Sequence, residues 1–89
     1  MRRITRADLE ELEKQLNEAT GNPLERGKGH YYIQGAYGGY GLKQIIKEDS
    51  GAHWDVISGY RSKRELYERM QSMISGIYIG KTLKKEATQ

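Results

Sequence analysis

The chain of 89 residues carries 15 basic and 12 acidic side chains, and its formal net charge of +3 neither requires nor excludes nucleic acid as a partner. It has no cysteine, which excludes disulfides and thiolate metal sites and fits a reducing cytoplasm. No stretch approaches the roughly 20 apolar residues of a membrane helix, and the charged start MRRITRADLE lacks the apolar run of a signal peptide. We therefore expect a soluble intracellular protein without a membrane partner.

The first predicted element is a helix over residues 6–20. Thr5 and Asp8 have the spacing of an N-cap and its third helical residue, and Gly21 is a typical helix terminator. Five acidic residues and one lysine lie within residues 8–18, so one side of the helix is strongly acidic. The opposite face is apolar at helical spacing and consists of Leu9, Leu12, Leu16 and Ala19.

Residues 22–29 are rich in glycine and charge and predict a loop. Three segments rich in Tyr, Ile, Val or Trp follow at 30–35, 40–49 and 52–58, separated by the turn-like sequences AYGG and DSGA. They predict a three-stranded antiparallel meander. The alternation of apolar and polar side chains is imperfect in the second strand, which indicates a bulge near Lys43 and Gln44 or burial of both faces.

A longer helix is predicted to begin after Ser62, which has the spacing of a capping box with Glu65. We interpret Gly80 as its C-cap and residues 81–89 as a polar tail. Gly76 inside the helix indicates either the close approach of another backbone or only a local lapse in helix propensity. The apolar stripe of this helix is broad and consists of Leu66, Tyr67, Met70, Met73, Ile74, Ile77 and Tyr78.

Together these elements predict an α+β fold in which a three-stranded antiparallel meander lies between an N-terminal and a longer C-terminal helix, in the order α-β-β-β-α. The chain is expected to form a single domain over residues 1–89, with an ordered core over residues 5–80. One small sheet cannot cover so broad a helical stripe, and three strands leave two exposed edges. We therefore expect a homo-oligomer.

The sequence GAYGGYG at 35–41 is the most distinctive motif. It is not a dinucleotide-binding fingerprint, because it joins two strands rather than a strand and a helix. It predicts a hairpin in which Gly38 and Gly39 adopt positive φ. Glycines would also let a ligand reach backbone N–H groups, and the flanking Tyr37 and Tyr40 offer rings that could stack on a base or a sugar.

A second motif, RSKR at 61–64, places Arg61, Lys63 and Arg64 at the start of the second helix. Free N–H groups and the helix dipole favour an anion at that position, so the combination predicts a phosphate site. The alternative is that these are solvated side chains of the first helical turn. The single tryptophan, Trp54, is either a core residue or a further stacking surface.

The remaining motifs give no support for a metal, a cofactor or catalysis. GIYIGKT at 76–82 has one residue too few between its glycines for a P-loop and leaves a helix instead of entering one. His30 and His53 are the only histidines and lack ligand spacing. No pair of nucleophile and base is visible, so we expect a protein that is not an enzyme and has no cofactor.

Three blocks of the chain, LNEATGNPLE, GHYYIQGAYGGYGL and SGAHWDVISGYRSKRELYERM, together resemble a widespread family of short proteins encoded by tailed bacteriophages and prophages. The likeness covers residues 5–79. It implies an accessory protein that acts in the cytoplasm of an infected bacterium by binding rather than by catalysis. One class of such phage proteins sequesters cyclic-nucleotide immune signals between protomers, and the small domain, expected oligomer and Gly-Tyr loop are similar in kind.

These features support three hypotheses. The leading one is sequestration of a nucleotide-like, phosphate-bearing small molecule. The second is a protein-binding inhibitor that uses the acidic face of the first helix against a host defence complex. The third, a nucleic-acid binder, is weakened by the acidic helix and the small net charge. Under the leading hypothesis the ligand-binding residues are Tyr37, Gly38, Gly39, Tyr40, Trp54, Arg61, Lys63 and Arg64.

Overall fold

The computed structural model describes residues 3–47 and 52–87, with side chains through residue 82. Its elements are α1 (Arg6–Thr20), β1 (Tyr31–Ala36), β2 (Gly39–Lys47), β3 (Ala52–Arg61) and α2 (Lys63–Ala87). The strands form one antiparallel sheet in the order β1-β2-β3. The predicted α-β-β-β-α order and the longer C-terminal helix are confirmed. The predicted turn DSGA lies, apart from Ala52, outside the described residues.

Helix α1 begins and ends where its capping residues predict. The Thr5 hydroxyl accepts a hydrogen bond from the Asp8 N–H at 3.2 Å, and the Asp8 carboxylate accepts one from the Thr5 N–H at 2.8 Å. Gly21 ends the helix in the left-handed conformation, with φ of 73°. Such reciprocal capping satisfies N–H groups that have no partner inside the helix.

Both helices pack against one face of the sheet. The paired residues Ile33, Leu42 and Ile57 form a buried row across the three strands. Consecutive strand residues point to opposite faces, so the neighbouring row of Tyr32, Lys43 and Asp55 lies on the other face, which we call the open face. The buried row meets the apolar stripes of the helices in one core, which also contains Ile4, Leu9, Leu12, Leu16, Leu66, Met70 and Ile74.

The second strand is buried on both faces, at Leu42 and at Lys43 and Ile45, as one of the two alternatives predicted, and the bulge beside it lies on β3 rather than on β2. Leu42 pairs with Ile57 and Lys43 pairs with Asp55, so Val56 is an extra residue on β3. A one-residue slip reverses the facing of every later side chain, and this bulge brings Asp55 to the same face as Lys43. The Lys43 ammonium forms an ion pair with Asp55 beneath the Tyr60 ring, and the hydrogen bond to Asp55 raises the pKa of Lys43.

Asn17 joins α1 to the outer edge of β1. Its side chain is 1% exposed; the amide N–H₂ donates to the Tyr31 carbonyl at 3.0 Å, and the amide oxygen accepts from the Tyr31 N–H at 2.8 Å. The amide therefore replaces the pairing that a further strand would supply. It docks the helix on the sheet and covers this part of the edge.

Helix α2 continues past the residue predicted to end it. Gly80 is predicted to be the C-cap, but it lies within the helix, which reaches Ala87, and its φ is not positive. One glycine costs a helix only about 1 kcal/mol, and the sequence KTLKKEA after Gly80 is mostly good helix formers. The prediction that the helix ends at Gly80 is therefore wrong, because residues 81–87 continue it. Lys81 lies within the helix and donates a hydrogen bond to the Ala19 carbonyl near the end of α1.

The apolar stripe of α2 is only partly covered. Leu66, Met70 and Ile74 are buried, whereas Tyr78, at the end of the stripe, is 51% exposed. Ile79 lies outside the stripe and is 61% exposed. A Cβ added to Gly76 would meet no heavy atom within 4 Å, so no described backbone of the same chain approaches it closely. Within the described residues, neither helix is long and apolar enough to cross a membrane.

Candidate functional site

The turn between β1 and β2 lies one residue earlier than its glycines predict. Ala36 pairs with Gly39, so the two loop residues are Tyr37, with φ of 52°, and Gly38, with φ of 71°. A two-residue hairpin of this type needs positive φ at both central positions. The prediction of positive φ is confirmed for Gly38 and wrong for Gly39, because the strand register makes Gly39 the first residue of β2.

Gly39 is instead a point of close approach between β2 and the end of β3. A Cβ at this position would lie 3.0 Å from the Arg61 carbonyl oxygen and 3.0 Å from the Tyr60 carbonyl carbon. The next residue, Tyr40, pairs with Arg61. The glycine hairpin and the basic RSKR segment, predicted as two separate features, are therefore adjacent in the fold.

Helix α1 adds an arginine to this region. The Arg6 guanidinium carbon lies 5.6 Å from the centre of the Tyr40 ring, within the range of a cation–π interaction, and its Nε is 3.3 Å from the Glu10 carboxylate. The sequence alone did not assign Arg6 to this site. The signal available in the sequence was that Arg6 is a cation at the first position of a helix, where the helix dipole disfavours positive charge unless an anion is bound. Together these elements enclose an open cavity of about 280 Å³ lined by Arg6, Gly35, Ala36, Gly38, Gly39 and Tyr40.

The basic segment surrounds the start of α2 as predicted. Ser62 caps the helix, its hydroxyl accepting from the Glu65 N–H at 3.2 Å, and Lys63 and Arg64 are half-buried in the first turn. Arg61 Nη1 lies 3.3 Å from the Glu65 carboxylate, so an acid of the helix partly neutralises this arginine. Arg61 Nε is buried and has no hydrogen-bond partner among the residues that the structure describes.

Five predicted site residues do not line the cavity, namely Tyr37, Trp54, Arg61, Lys63 and Arg64. Trp54 is 52% exposed, so it is not a core residue, and its indole N–H donates to the Gln44 side chain at 2.8 Å. Gln44 is four residues along β2 from Tyr40, a distance of about 13 Å in a strand. Tyr37 is 93% exposed, and the centre of its ring lies 5.4 Å from that of Tyr60.

The acidic face of α1 is smaller than the sequence predicts. Glu10 pairs with Arg6, and Glu13 turns towards the loop, where its carboxylate is 3.6 Å from His30 Nε2. Burial raises the pKa of Glu13. Glu10, Glu11 and Glu18 remain exposed. The inhibitor hypothesis, which uses this face, stays a prediction.

His30 and His53 both contact the Tyr32 ring. His30 Nδ1 donates to the Pro23 carbonyl at 2.8 Å, which fixes the proton on that nitrogen because a carbonyl only accepts. Within residues 3–47 and 52–87, no group of three or more His, Cys, Asp or Glu side chains has the arrangement of a metal site.

Comparisons of the chain with protein-family models, with curated proteins and with solved structures find no match. The resemblance to short phage proteins therefore stays a prediction, and any function has to be argued from the geometry of this chain.

Proposed function

We propose that the protein binds a phosphate-bearing small molecule of the nucleotide type, without catalysis, beside the glycine hairpin. The observation that carries this proposal is that the Arg6 guanidinium lies over the Tyr40 ring beside a cavity walled by glycine backbone, while Arg61 pairs with Tyr40 across the strands. Cations that meet at a backbone-lined cavity are the usual basis of phosphate recognition.

Each part of the site has a chemical role in this proposal. The guanidinium groups of Arg6 and Arg61 neutralise the phosphate, and the phosphate competes with Glu10 and Glu65 for them. Lys63 and Arg64 add positive charge at the N-terminus of α2, where the dipole also favours an anion. Gly38 and Gly39 let the ligand approach the backbone. The Tyr40 ring supports the sugar or base.

The size of the cavity supports a role for a second copy of the chain. At about 280 Å³ it is slightly smaller than the roughly 300–1,000 Å³ of sites that enclose a small molecule. Tyr78, at the uncovered end of the α2 stripe, is exposed, and a second copy of the chain would pack against it. A homo-oligomer would thus supply the apolar floor that a base requires.

The biological setting in this proposal comes from the resemblance to phage proteins. A small protein that binds a nucleotide and performs no chemistry would act by removing that nucleotide from solution. In an infected bacterium the corresponding role is sequestration of a nucleotide immune signal. Cyclic and linear nucleotides share the phosphate and the base, and the binding experiment below compares the two forms.

Native mass spectrometry of the purified protein with a panel of cyclic and linear nucleotides, followed by calorimetric titration of any that bind, tests the proposal. We expect an oligomer that carries a nucleotide, and at least tenfold weaker binding by Arg6→Ala and Arg61→Ala. Arg69→Ala is the matched control, because Arg69 is an exposed arginine on α2 away from the hairpin.

Circular dichroism of each variant establishes that it is folded before its affinity is compared. Equal affinity of Arg6→Ala, Arg61→Ala and the parent protein would refute the site. An oligomer that binds no member of the panel would refute the proposed ligand class and favour the protein-binding inhibitor. A pull-down from host lysate with Glu10 and Glu11 reversed in charge would then be the next experiment.

A further inference from the structure

A second cavity lies on the open face of the sheet. It has a volume of about 360 Å³ and is lined by Arg26, His30, Tyr32, Ile45 and His53. Tyr32 points away from the helices. Gly35 lines the first cavity, beside the glycine hairpin, which we call the hairpin cavity, and it shares a face of the sheet with the buried Ile33. The two cavities are therefore on opposite sides of the sheet, and a ligand in the second cavity would bind independently of the proposed phosphate site.

Three rings form the walls of this cavity. The rings of His30 and Tyr32 are parallel within 5°, with their centres 6.5 Å apart, and the His53 ring stands at 81° to Tyr32 at 6.2 Å. Ile45 is 6% exposed, pairs with His53 across the strands and forms an apolar floor. Ring faces and edges over an aliphatic floor suit a planar aromatic molecule.

The walls are held in position by contacts outside the cavity. The His30 imidazole is fixed by the Pro23 carbonyl on one nitrogen and faces Glu13 on the other. Its backbone N–H donates to the Gly27 carbonyl at 3.0 Å, and its carbonyl accepts from the Ile45 N–H at 3.0 Å. These bonds tie the loop that carries Arg26 to the sheet, so the cavity is formed before any ligand arrives.

Arg26 is an exposed cation at the edge of the cavity. Among the described residues that line the cavity none is an acid, and Glu13 contacts His30 from outside it. A guanidinium at the edge of an aromatic cavity binds a carboxylate or a phosphate through paired hydrogen bonds. An uncharged aromatic molecule would form no such pair of hydrogen bonds with it.

We infer that this cavity is a second binding site, which takes a planar aromatic or heteroaromatic ring carrying an anionic group. The ring lies over Ile45 against Tyr32 and His53, and the anionic group pairs with Arg26. The ligand class differs from that of the hairpin cavity in that the ring, rather than a phosphate, determines recognition.

Pairs of small probes separate the contribution of charge from that of the ring. Nicotinate and nicotinamide share a ring and differ in charge, and benzoate and cyclohexanecarboxylate share a charge and differ in planarity. Titration followed by two-dimensional ¹H–¹⁵N NMR locates the bound probe. We expect nicotinate and benzoate to shift the amide signals of Tyr32, Ile45 and His53, and their neutral or non-planar counterparts to bind at least tenfold more weakly.

Variants assign the binding to this cavity. Arg26→Ala should weaken nicotinate binding at least tenfold, and Tyr32→Leu, which keeps apolar bulk but removes the planar ring, should do the same. Lys28→Ala removes an exposed cation from the same loop and should have no effect, and Arg6→Ala should leave this site intact. Equal binding of nicotinate and nicotinamide, an unchanged affinity in Arg26→Ala, or no shifts at these amides would overturn the inference.

Discussion

The contact between Asn17 and Tyr31 gives the sharpest prediction about the fold. The buried amide of Asn17 makes two hydrogen bonds to the backbone of Tyr31 and one to the Glu13 carbonyl at 3.0 Å. In Asn17→Ala the Tyr31 N–H and C=O both lose their partner on the helix side of the strand. Each lost bond removes about 0.5–1.5 kcal/mol, and each buried group without a partner costs about 1–3 kcal/mol unless water reaches it.

We therefore expect Asn17→Ala to lower the free energy of unfolding by about 2–4 kcal/mol, a large fraction of the stability of a domain of this size. Equilibrium urea unfolding followed by circular dichroism measures the change. It should be repeated at two protein concentrations, because self-association would couple stability to concentration. Gln15→Ala, which removes a half-buried amide from the same helix, is the control and should change stability by less than about 0.5 kcal/mol.

A second variant at the same position tests the direction of the hydrogen bonds. Asn17→Asp keeps an oxygen that accepts from the Tyr31 N–H, but it places a carboxylate oxygen opposite the Tyr31 carbonyl. We expect it to be at least as destabilising as Asn17→Ala at pH 7 and to recover stability in acid, where the protonated carboxyl can donate. A loss below about 1 kcal/mol in Asn17→Ala would refute the docking role of this amide.

Two further predictions concern α2 and the buried acid of α1. Gly80→Ala should raise the free energy of unfolding by about 0.5–1 kcal/mol, because Gly80 is helical and an added Cβ meets no atom within 4 Å. Gly21→Ala is equally open but has φ of 73°, so it should lower the free energy of unfolding by about 1 kcal/mol. A loss of stability in Gly80→Ala would contradict the continuation of the helix. Glu13→Gln should stabilise the protein at neutral pH, because burial raises the pKa of Glu13 above its ordinary 4.5 and the folded state therefore resists its ionisation. The advantage of the variant should grow as the pH rises from 4.5 through the folded-state pKa and vanish below 4.5, and urea unfolding across pH, with the exposed Glu18→Gln as control, checks the sign.

The amino-acid sequence determined the elements whose signals are local. The Thr5 and Asp8 cap, the left-handed Gly21 and the start of α2 after Ser62 all depend on interactions within four residues of the chain. The hairpin was predicted from a local signal too, the motif GAYGGYG. The meander follows from three β-rich segments joined by short turns. Gly80 misled the prediction because a glycine has the same local signature in a C-cap as inside a long helix.

Only the tertiary structure decided where the sites lie. Gly39 rather than Gly38 meets the backbone of Arg61, because the register of β2 against β3 sets that approach. Arg6 reaches Tyr40 because α1 docks on the face of the sheet that carries Tyr40. The cavity at Tyr32 requires the loop before β1 to fold over the open face. Contacts between residues far apart in the chain depend on how the helices and strands pack, and a local sequence pattern does not predict that packing.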